Sequence, residues 1–320
     1  MNKRLLPAFM LGLLIFLGLT WPTQAVEKLK FGTPIKLSPG YYLPVLAAEE
    51  KGFWRQNGLE VEWVVTGTTI SLHHAITAGA LRVGMDSAAG MIPGIGRGVP
   101  ATIVASIQKY VATALWVRTD SPVKEPKDLK KGTRVGVVSI GGLDHAFGRM
   151  LLRALNLEKD VRFVATGGIP NSMAALKAGA VDATAMTFPM MVPLEVKGEV
   201  RAVARQEDYI RTELTNHLVW ARKDFLKSDP EVISRAIKAV LQSVAFIREN
   251  QKWAAAKIEE VQGLPPAATE AVYKKLDFSR DGKVSRQVLE NMRNFLLEFE
   301  ILPKDRAPAV DDLYTPQFTG

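Results

Sequence analysis

Cysteine is absent from the 320-residue chain, and its absence removes three kinds of chemistry. Without a thiol, the chain forms no disulfide, no thiolate metal site and no cysteine nucleophile. A chain of this length buries enough apolar surface to be stable without covalent cross-links, even in an oxidising compartment. Hydroxyls, amides and charged side chains therefore remain as the groups for any functional site.

Long tracts of one charge are also missing. Lys and Arg number 41 against 33 Asp and Glu, giving a formal net charge of +8, but basic residues stand beside acidic ones, as in "KEPKDLKKG". Nucleic-acid binding needs a clustered basic surface, so no nucleic-acid partner is expected. The segment "DFSRDGKVSRQVLE" imitates a calcium loop but has Val288 where a bidentate Glu is required. Neither a metal nor any other cofactor is expected.

The long apolar run of the chain lies at its N-terminus. Lys3 and Arg4 precede the apolar residues 5–19, and the small residues of Thr23-Gln24-Ala25 follow. This order is typical of a secretory signal peptide cleaved near Ala25, and the run is short for a membrane span. A retained N-terminal anchor is the alternative. Residues 1–25 are therefore expected to be removed on export to the periplasm.

One sequence segment, which we call the repeated phrase, occurs twice in the chain. "TGTTISLHHAITAGAL" (residues 66–81) and "TGGIPNSMAALKAGAV" (residues 166–181) align without a gap. Each phrase lies between strand-like segments, so each predicts a strand, a Thr-Gly turn, a helix ended by Ala-Gly-Ala, and a further strand. Gene duplication, or the same packing demands met twice, explains the likeness. Either origin predicts two lobes that resemble each other.

The alternation of strands and helices predicts the fold class. Apolar strand patterns alternate with helical patterns from residue 27 to 118, and a second cycle runs from residue 133 to 222. From Asp224 to about Phe299 the pattern is helical. We therefore predict an α/β protein in which each lobe has a mostly parallel sheet flanked by helices.

The turns that follow these strands are rich in Ser, Thr and Gly and contain little Lys or Arg. They are "KLSPGYY", "TGTTIS", "DSAAG", "SIGGLD", "TGGIPN" and "TFPM". In open α/β sheets, ligands lie beyond the carboxyl ends of the strands, where helix N-termini present backbone N–H groups to an anion. The same Ser and Thr residues also serve as ordinary helix caps. The set of turns, more than any one of them, predicts two half-sites facing one cleft.

The order of these segments resembles a known family. "FGTPIKLSPGYYLPVLAAEEKGFWRQNGLEVEWVVTG", "HHAITAGALRVGMDSA", "PKDLKKGTRVGVVSIGG" and "MAALKAGAVDATAMTFP" are similar to segments of the periplasmic substrate-binding proteins of nitrate, sulfonate and taurine ABC importers. The resemblance implies a type II two-lobed fold, with residues 26–118 and 218–320 in lobe 1 and residues 119–217 in lobe 2. It implies a non-enzymatic, monomeric receptor that closes on a small solute and delivers it to a membrane permease.

The resemblance also implies a set of ligand-binding residues, carried over position by position. They are Ser38, Gly40, Tyr41, Thr66, Gly67, Asp86, Ser87 and Ala88 in lobe 1, and Ser139, Gly141, Gly142, Thr187 and Phe188 in lobe 2. Lys36 is a candidate positive charge, although a surface position is favoured for it. Asp86 is a candidate partner for an ammonium group of the ligand. Alternatively, its carboxylate caps a helix and binds no ligand.

Two questions stay open at this stage. The ligand is a sulfonate, taurine, nitrate, a pyrimidine or a carboxylate. An exported enzyme is the second hypothesis, because the pyrimidine-precursor synthases of thiamine metabolism are similar proteins, although they rely on cysteine and this chain has none. A receptor for a sensor rather than for a permease is the third.

Overall fold

The computed structural model describes residues 26–36, 38–109 and 113–319. The predicted signal peptide, residues 1–25, lies outside the described residues. Within the described ranges, no helix combines the length and the apolar character needed to cross a membrane.

The first lobe begins with alternating strands and helices, as the sequence predicts. The strands are β1 (Glu27–Thr33), β2 (Leu59–Val65), β3 (Val83–Ser87) and β4 (Ala101–Ser106). The helices are α1 (Pro39–Glu50), α2 (Phe53–Gln56), α3 (Thr69–Thr77) and α4 (Ala88–Gly96). Helices cover both faces of the sheet, so β4 is buried at every residue and reads as a continuous apolar or small run.

The second lobe repeats this order. Its strands are β5 (Thr113–Arg118), β6 (Thr133–Val137), β7 (Val161–Ala165), β8 (Ala183–Thr187) and β9 (Val200–Arg205). Its helices are α5 (Leu143–Ala154), α6 (Ile169–Lys177), α7 (Phe188–Val196) and α8 (Gln206–Tyr209). The chain then returns to the first sheet through β10 (His217–Arg222).

Five helices complete the described chain: α9 (Lys223–Ser228), α10 (Pro230–Glu249), α11 (Gln251–Gln262), α12 (Pro266–Lys274) and α13 (Arg286–Glu298). Helix α10 packs on α1 of the first lobe, whereas α12 packs on α7 of the second. Phe295 of α13 stacks on Phe147 of α5, with ring centroids 4.7 Å apart. The C-terminal helices therefore touch both lobes.

The two five-stranded sheets have the same topology. The strand orders are β2-β1-β3-β10-β4 and β7-β6-β8-β5-β9. In each sheet the fourth strand is antiparallel to its neighbours, and this strand is the one that arrives from the other lobe. The predicted α/β two-lobed class is confirmed, with mixed sheets in which one strand of five is reversed.

One detail differs from the sequence-based boundary. Ending lobe 1 at residue 118 places β5 in the first sheet, but β5 pairs with β8 and β9 of the second. The proline-rich and charged segment after β5 looks like a linker, yet it is a loop within the second lobe. The chain changes sheets earlier, between β4 and β5, and returns between β9 and β10. We call residues 107–109 and 210–216 the crossing segments.

The repeated phrase is a structural repeat. Strand β2, helix α3, strand β3 and helix α4 recur 100 residues later as β7, α6, β8 and α7. Gly79 and Gly179 both have positive φ, 76° and 71°, which glycine adopts without strain at a helix C-terminus. The following amides, of Ala80 and Ala180, both donate to the carbonyl five residues back at 2.9 Å. The phrase therefore encodes how each helix ends and turns into the next strand.

Candidate functional site

A cleft of about 260 Å³ lies where the two lobes and both crossing segments meet. Its lining side chains come from the end of β1, the helix starts of both lobes, the crossing segments, the start of β10 and the residues after α12. The volume lies just below the range for small-molecule pockets, roughly 300–1,000 Å³. The cleft therefore suits a ligand of few non-hydrogen atoms.

The lobe 1 wall carries hydroxyl groups at the starts of three helices. Ser38, Thr69 and Ser87 stand at the beginnings of α1, α3 and α4, and Tyr41 lies one turn into α1. The Oγ of Ser87 accepts from the N–H of Gly90 at 3.0 Å and so caps α4. Ser38 makes no side-chain cap bond to its helix. The Ser38 hydroxyl is therefore available to a ligand.

The crossing segments and His217 of β10 form a polar floor. The Nδ2 of Asn216 donates to the Oε1 of Gln108 at 3.2 Å, and the Nδ1 of His217 lies 2.5 Å from the same oxygen. A carboxamide oxygen only accepts, so the neutral ring of His217 carries its proton on Nδ1. Burial lowers the pKa of His217 to about 3. The floor is therefore uncharged near neutral pH.

The ring of Tyr41 joins this floor to the carboxylate behind the lobe 1 wall. Its centroid lies 4.1 Å from that of His217, in an edge-on arrangement. Burial raises the pKa of the Tyr41 phenol, and the nearby Asp86 carboxylate raises it further. Tyr41 therefore stays a neutral phenol at the cleft.

The lobe 2 wall is mostly apolar. Leu143, Ile169, Pro189 and Met190 line it at the starts of α5, α6 and α7, together with Thr187. Proline has no N–H, so Pro189 removes one of the donors that a helix start offers to an anion. Thr187 makes no side-chain cap bond. This wall offers one free hydroxyl and an apolar surface.

Lys275 brings a cation to the cleft. It follows α12 at once, far along the chain from both repeats, and among the described residues that line the cleft it is the one Lys or Arg. Its Nζ pairs with the carboxylate of Glu207 and lies 5.6 Å from the ring centroid of Phe188. The side chain of Lys275 is about one third exposed, so it is accessible from the cleft.

Four of the predicted binding residues line the cleft: Ser38, Tyr41, Ser87 and Thr187. Thr66 and Gly67 do not. The Oγ1 of Thr66 bonds to the carbonyl oxygens of Thr33 and Thr68, and Thr166 makes the matching bond to Val137. The Thr-Gly turns thus tie the end of one strand to its neighbour. Gly67 is exposed with φ of 87°.

Three further predicted residues lie behind the lobe 1 wall. Asp86 is fully buried; its Oδ1 accepts from the N–H of Ser87 at 2.7 Å, and its Oδ2 lies 3.5 Å from the Nε2 of His73. Burial raises the pKa of Asp86. A Cβ on Gly40 would stand 2.1 Å from His217, and the N–H of Ala88 donates to the carbonyl of Asn216 at 2.6 Å. Ala88 thus ties the wall to a crossing segment, Gly40 lets α1 approach β10, and Asp86 makes its contacts within lobe 1.

The remaining predicted residues are in lobe 2. Ser139 and Gly141 are exposed in the turn before α5, Gly142 caps that helix, and Leu143 is the residue of this turn that reaches the cleft. Phe188 is buried against Trp116, with centroids 5.8 Å apart. Outside the predicted set, Lys36 is exposed, with its Nζ 5.8 Å from the ring of Trp63.

The other cleft residues were not predicted from the sequence: Pro34, Ile35, Thr69, Gln108, Leu143, Ile169, Pro189, Met190, Asn216, His217, Lys275 and Leu276. Leu143, Ile169, Pro189 and Met190 lie in or directly after predicted turns. The apolar residues at these helix starts were the sequence signal that could have identified them. Gln108, His217 and Lys275 had no local signal, because only the packed fold brings them together.

Comparison with known proteins shows the family of the chain. Residues 40–254, more than half of the chain, match the family described as NMT1/THI5 like, and the chain belongs to this family. No curated protein matches its sequence.

Solved structures show the same two-lobed fold. The aliphatic sulphonate binding protein SsuA of Escherichia coli is 19% identical, with a TM-score of 0.76, over 91% of this chain and 92% of that one. SsuA of Xanthomonas axonopodis pv. citri, bound to MOPS, is 19% identical with a TM-score of 0.70, over 87% and 95%. The desulfurization enzyme DSZB is 18% identical with a TM-score of 0.68, over 91% and 97%. The fold thus serves both binding proteins and an enzyme.

Proposed function

We propose that this protein is the exported solute-binding component of an ABC importer, and that its solute is a small organic anion with an apolar tail, such as an alkanesulfonate. The carrying observation is the asymmetry of the cleft. Lobe 1 and the crossing segments supply hydroxyls and a polar floor beside the apolar Pro34 and Ile35. Lobe 2 supplies a mostly apolar wall with one hydroxyl, and Lys275 adds one ammonium group.

The polar groups of the cleft suit an oxyanion head. The hydroxyls of Ser38 and Thr187 make no cap bond, and each can donate to a charged oxygen. Lys275 supplies the positive charge. Hydrogen bonds to charged groups contribute about 1.5–3 kcal/mol each, so three such contacts support capture of a small anion. The neutral His217 adds no repulsion or attraction of its own.

The apolar side suits a hydrocarbon tail. Leu143, Ile169 and Met190 present methyl and methylene groups that a bare inorganic anion leaves uncovered. Each buried methylene contributes about 0.8 kcal/mol. This surface favours an organic sulfonate or carboxylate over nitrate as the solute.

The two-lobed form supports the transport role. Two crossing segments join the lobes, and closure about such connections around a ligand is the usual movement of this architecture. Export to the periplasm, a monomeric state and a permease partner are parts of the same proposal. The alkanesulfonate-binding structures, with the same fold, support it.

A chain-length series of ligands tests the proposal. The titration of purified protein by calorimetry uses methanesulfonate, butanesulfonate, hexanesulfonate, hexanoate and nitrate, with hexanol as the uncharged control. We expect affinity to rise about fourfold per methylene until the cleft is full, and hexanol to bind far more weakly than hexanesulfonate. Equal binding of nitrate and hexanesulfonate, or no binding in the series, would contradict the amphiphilic anion.

The enzyme alternative has one observation in its favour, the fold shared with DSZB. Against it, the chain has no cysteine, and the neutral His217 is bonded to Gln108 rather than to a cleft hydroxyl. Mass spectrometry of each ligand after prolonged incubation decides the question. We expect the ligand to be recovered unchanged; a product formed in proportion to protein would establish an enzyme.

A further inference from the structure

A second cavity, larger than the cleft, lies on the other side of the crossing segments. Its volume is about 390 Å³, within the range of small-molecule sites. We call it the hinge cavity, and its floor consists of Ser106, Gln206, Leu214, Thr215, Leu218 and Leu289. All six floor residues are buried.

The hinge cavity and the cleft are separate spaces. Gln108 lines the cleft and Lys109 the hinge cavity; Asn216 lines the cleft and Thr215 the hinge cavity. Successive residues of an extended chain point to opposite sides. The crossing segments therefore form the partition, and a molecule in one space does not touch the other.

The hydroxyl protons of the floor are already used. The Oγ1 of Thr215 donates to the carbonyl of Gln108 at 3.1 Å, and the Oγ of Ser106 lies 3.1 Å from that Oγ1. Because Thr215 has one proton, Ser106 is the donor to Thr215. The floor hydroxyls consequently offer a ligand only their acceptor lone pairs.

Gln206 adds an acceptor without a donor. Gln206 is 2% exposed, and its Oε1 accepts no hydrogen bond from any residue that the structure describes. Buried side-chain oxygens are nearly always paired, and an unpaired one costs about 1–3 kcal/mol. A ligand N–H or O–H in the hinge cavity would satisfy it.

The charges around the hinge cavity cancel. Lys109, Arg211 and Lys283 face Glu213, Asp277 and Asp281 at its rim. Below the rim, Leu214, Leu218 and Leu289 are apolar. A neutral molecule with an apolar body meets both conditions, whereas the cleft, with Lys275, selects an anion.

We propose that the hinge cavity is a second ligand site, which takes a small neutral molecule with an aliphatic body and one N–H or O–H donor, such as a primary amide. The donor bonds to the Oε1 of Gln206, and the aliphatic body packs on the leucine side chains of the floor.

Two matched probes test the site, isobutyramide and methyl isobutyrate, which differ in the donor. Methyl NMR titration of the whole protein reports on Leu214 and Leu289 in the hinge cavity and on Met190 in the cleft. We expect isobutyramide to shift the two leucine methyls saturably, to leave Met190 in place, and to bind at least about tenfold more tightly than the ester. A shift confined to Met190, equal binding of both probes, or no saturable shift overturns the proposal.

Two variants locate the binding. Gln206→Met removes the acceptor at nearly constant size, and we expect the amide to fall to the affinity of the ester. Val288→Phe fills the hinge cavity from its partly exposed side and should abolish binding of both probes while Gln206 stays in place. The methyl spectrum of each variant checks its fold. Undiminished amide binding in Val288→Phe overturns the proposal, and this arm holds even if Gln206→Met does not fold.

Discussion

The two lobes share one scaffold and differ in what they present to the cleft. At positions 100 residues apart, Thr69 of lobe 1 corresponds to Ile169 of lobe 2, and Gly90 corresponds to Met190. The backbone turns, helix ends and strand order are the same in both. The shared structure thus brings corresponding positions to the cleft, where Thr69 presents a hydroxyl and Ile169 presents methyl groups.

The antiparallel strands extend the comparison. β5 and β10 both have a Trp followed two residues later by an Arg, and both show a register shift just before the Trp. Arg222 donates to the carbonyl of Thr77 at the end of α3, and Arg118 reaches that of Leu176 in α6. The strand that enters each lobe from the other therefore closes the C-terminus of the same helix. These contacts stabilise the lobes and leave the cleft free to diverge.

The largest expected effect is a loss of stability when a difference between the central strands of the two lobes is removed. Gly84 faces Gly32 so closely that a Cβ would stand 2.0 Å from the carbonyl oxygen of Gly32, whereas its counterpart Thr184 fits and donates to Gly136 at 2.8 Å. Gly84→Thr, which copies lobe 2 into lobe 1, should lower the free energy of unfolding by about 3 kcal/mol or more.

Urea denaturation measures the Gly84→Thr effect, and Thr184→Gly is the matched reverse change. The reverse variant loses one hydrogen bond and gains backbone freedom, so we expect a cost of about 1–2 kcal/mol. If Gly84→Thr is no less stable than Thr184→Gly, β1 and β3 do not approach each other as closely as the structure shows.

The second effect concerns the first residues of the two antiparallel strands. His217 opens β10 and pairs with Ser87, and Thr113 opens β5 and pairs with Thr187. Burial lowers the pKa of His217 to about 3. Below pH about 6.5 the unfolded chain binds a proton that the folded chain does not, so stability falls as the pH falls toward 3.

The slope is about 1.4 kcal/mol per pH unit, or roughly 2–3 kcal/mol between pH 6 and pH 4. His217→Gln should remove this part of the acid sensitivity, because glutamine does not titrate. Thr113, the corresponding residue of lobe 2, does not titrate either. Urea denaturation at several pH values measures it. His74→Gln, on an exposed position of α3, is the control and should keep the slope of the unaltered protein. A slope unchanged in His217→Gln would show that the ring is protonated in the folded state.

The third effect concerns the positive charge of Lys275, which lies outside both repeated α/β units. Lys275→Met removes the ammonium group from the cleft, and we expect the Kd for hexanesulfonate to rise about 10- to 100-fold, because charged hydrogen bonds contribute about 1.5–3 kcal/mol. Calorimetry measures it. Lys274→Met is the control, since Lys274 is an exposed partner of Glu270 on α12 and does not line the cleft. Equal losses in both variants would mean that Lys275 acts only through the general charge of the surface.

The sequence was informative where the signal is local. Strand and helix alternation, glycines at helix ends and the repeated phrase predicted two like α/β lobes, because each depends on residues close along the chain. The residues of the cleft were predicted from the sequence only in part. Thr66 was predicted to bind the ligand, but its hydroxyl bonds to the carbonyl oxygens of Thr33 and Thr68. Lys275 meets the cleft only because α12 packs on α7, a contact with no trace in local sequence.

The smallest expected effect makes the lobe 2 wall resemble the lobe 1 wall. Ile169→Thr copies the counterpart residue of α3 into α6 and removes apolar contact with the ligand tail, worth about 1 kcal/mol, so the Kd for hexanesulfonate should rise about fivefold. Methanesulfonate has no tail to reach this wall, and its affinity should not change. Ile140→Thr, at an exposed residue that does not line the cleft, controls for the chemistry of the change. If Ile169→Thr weakens both sulfonates equally, the head rather than the tail lies against lobe 2, and the orientation of the ligand proposed for this cleft is reversed.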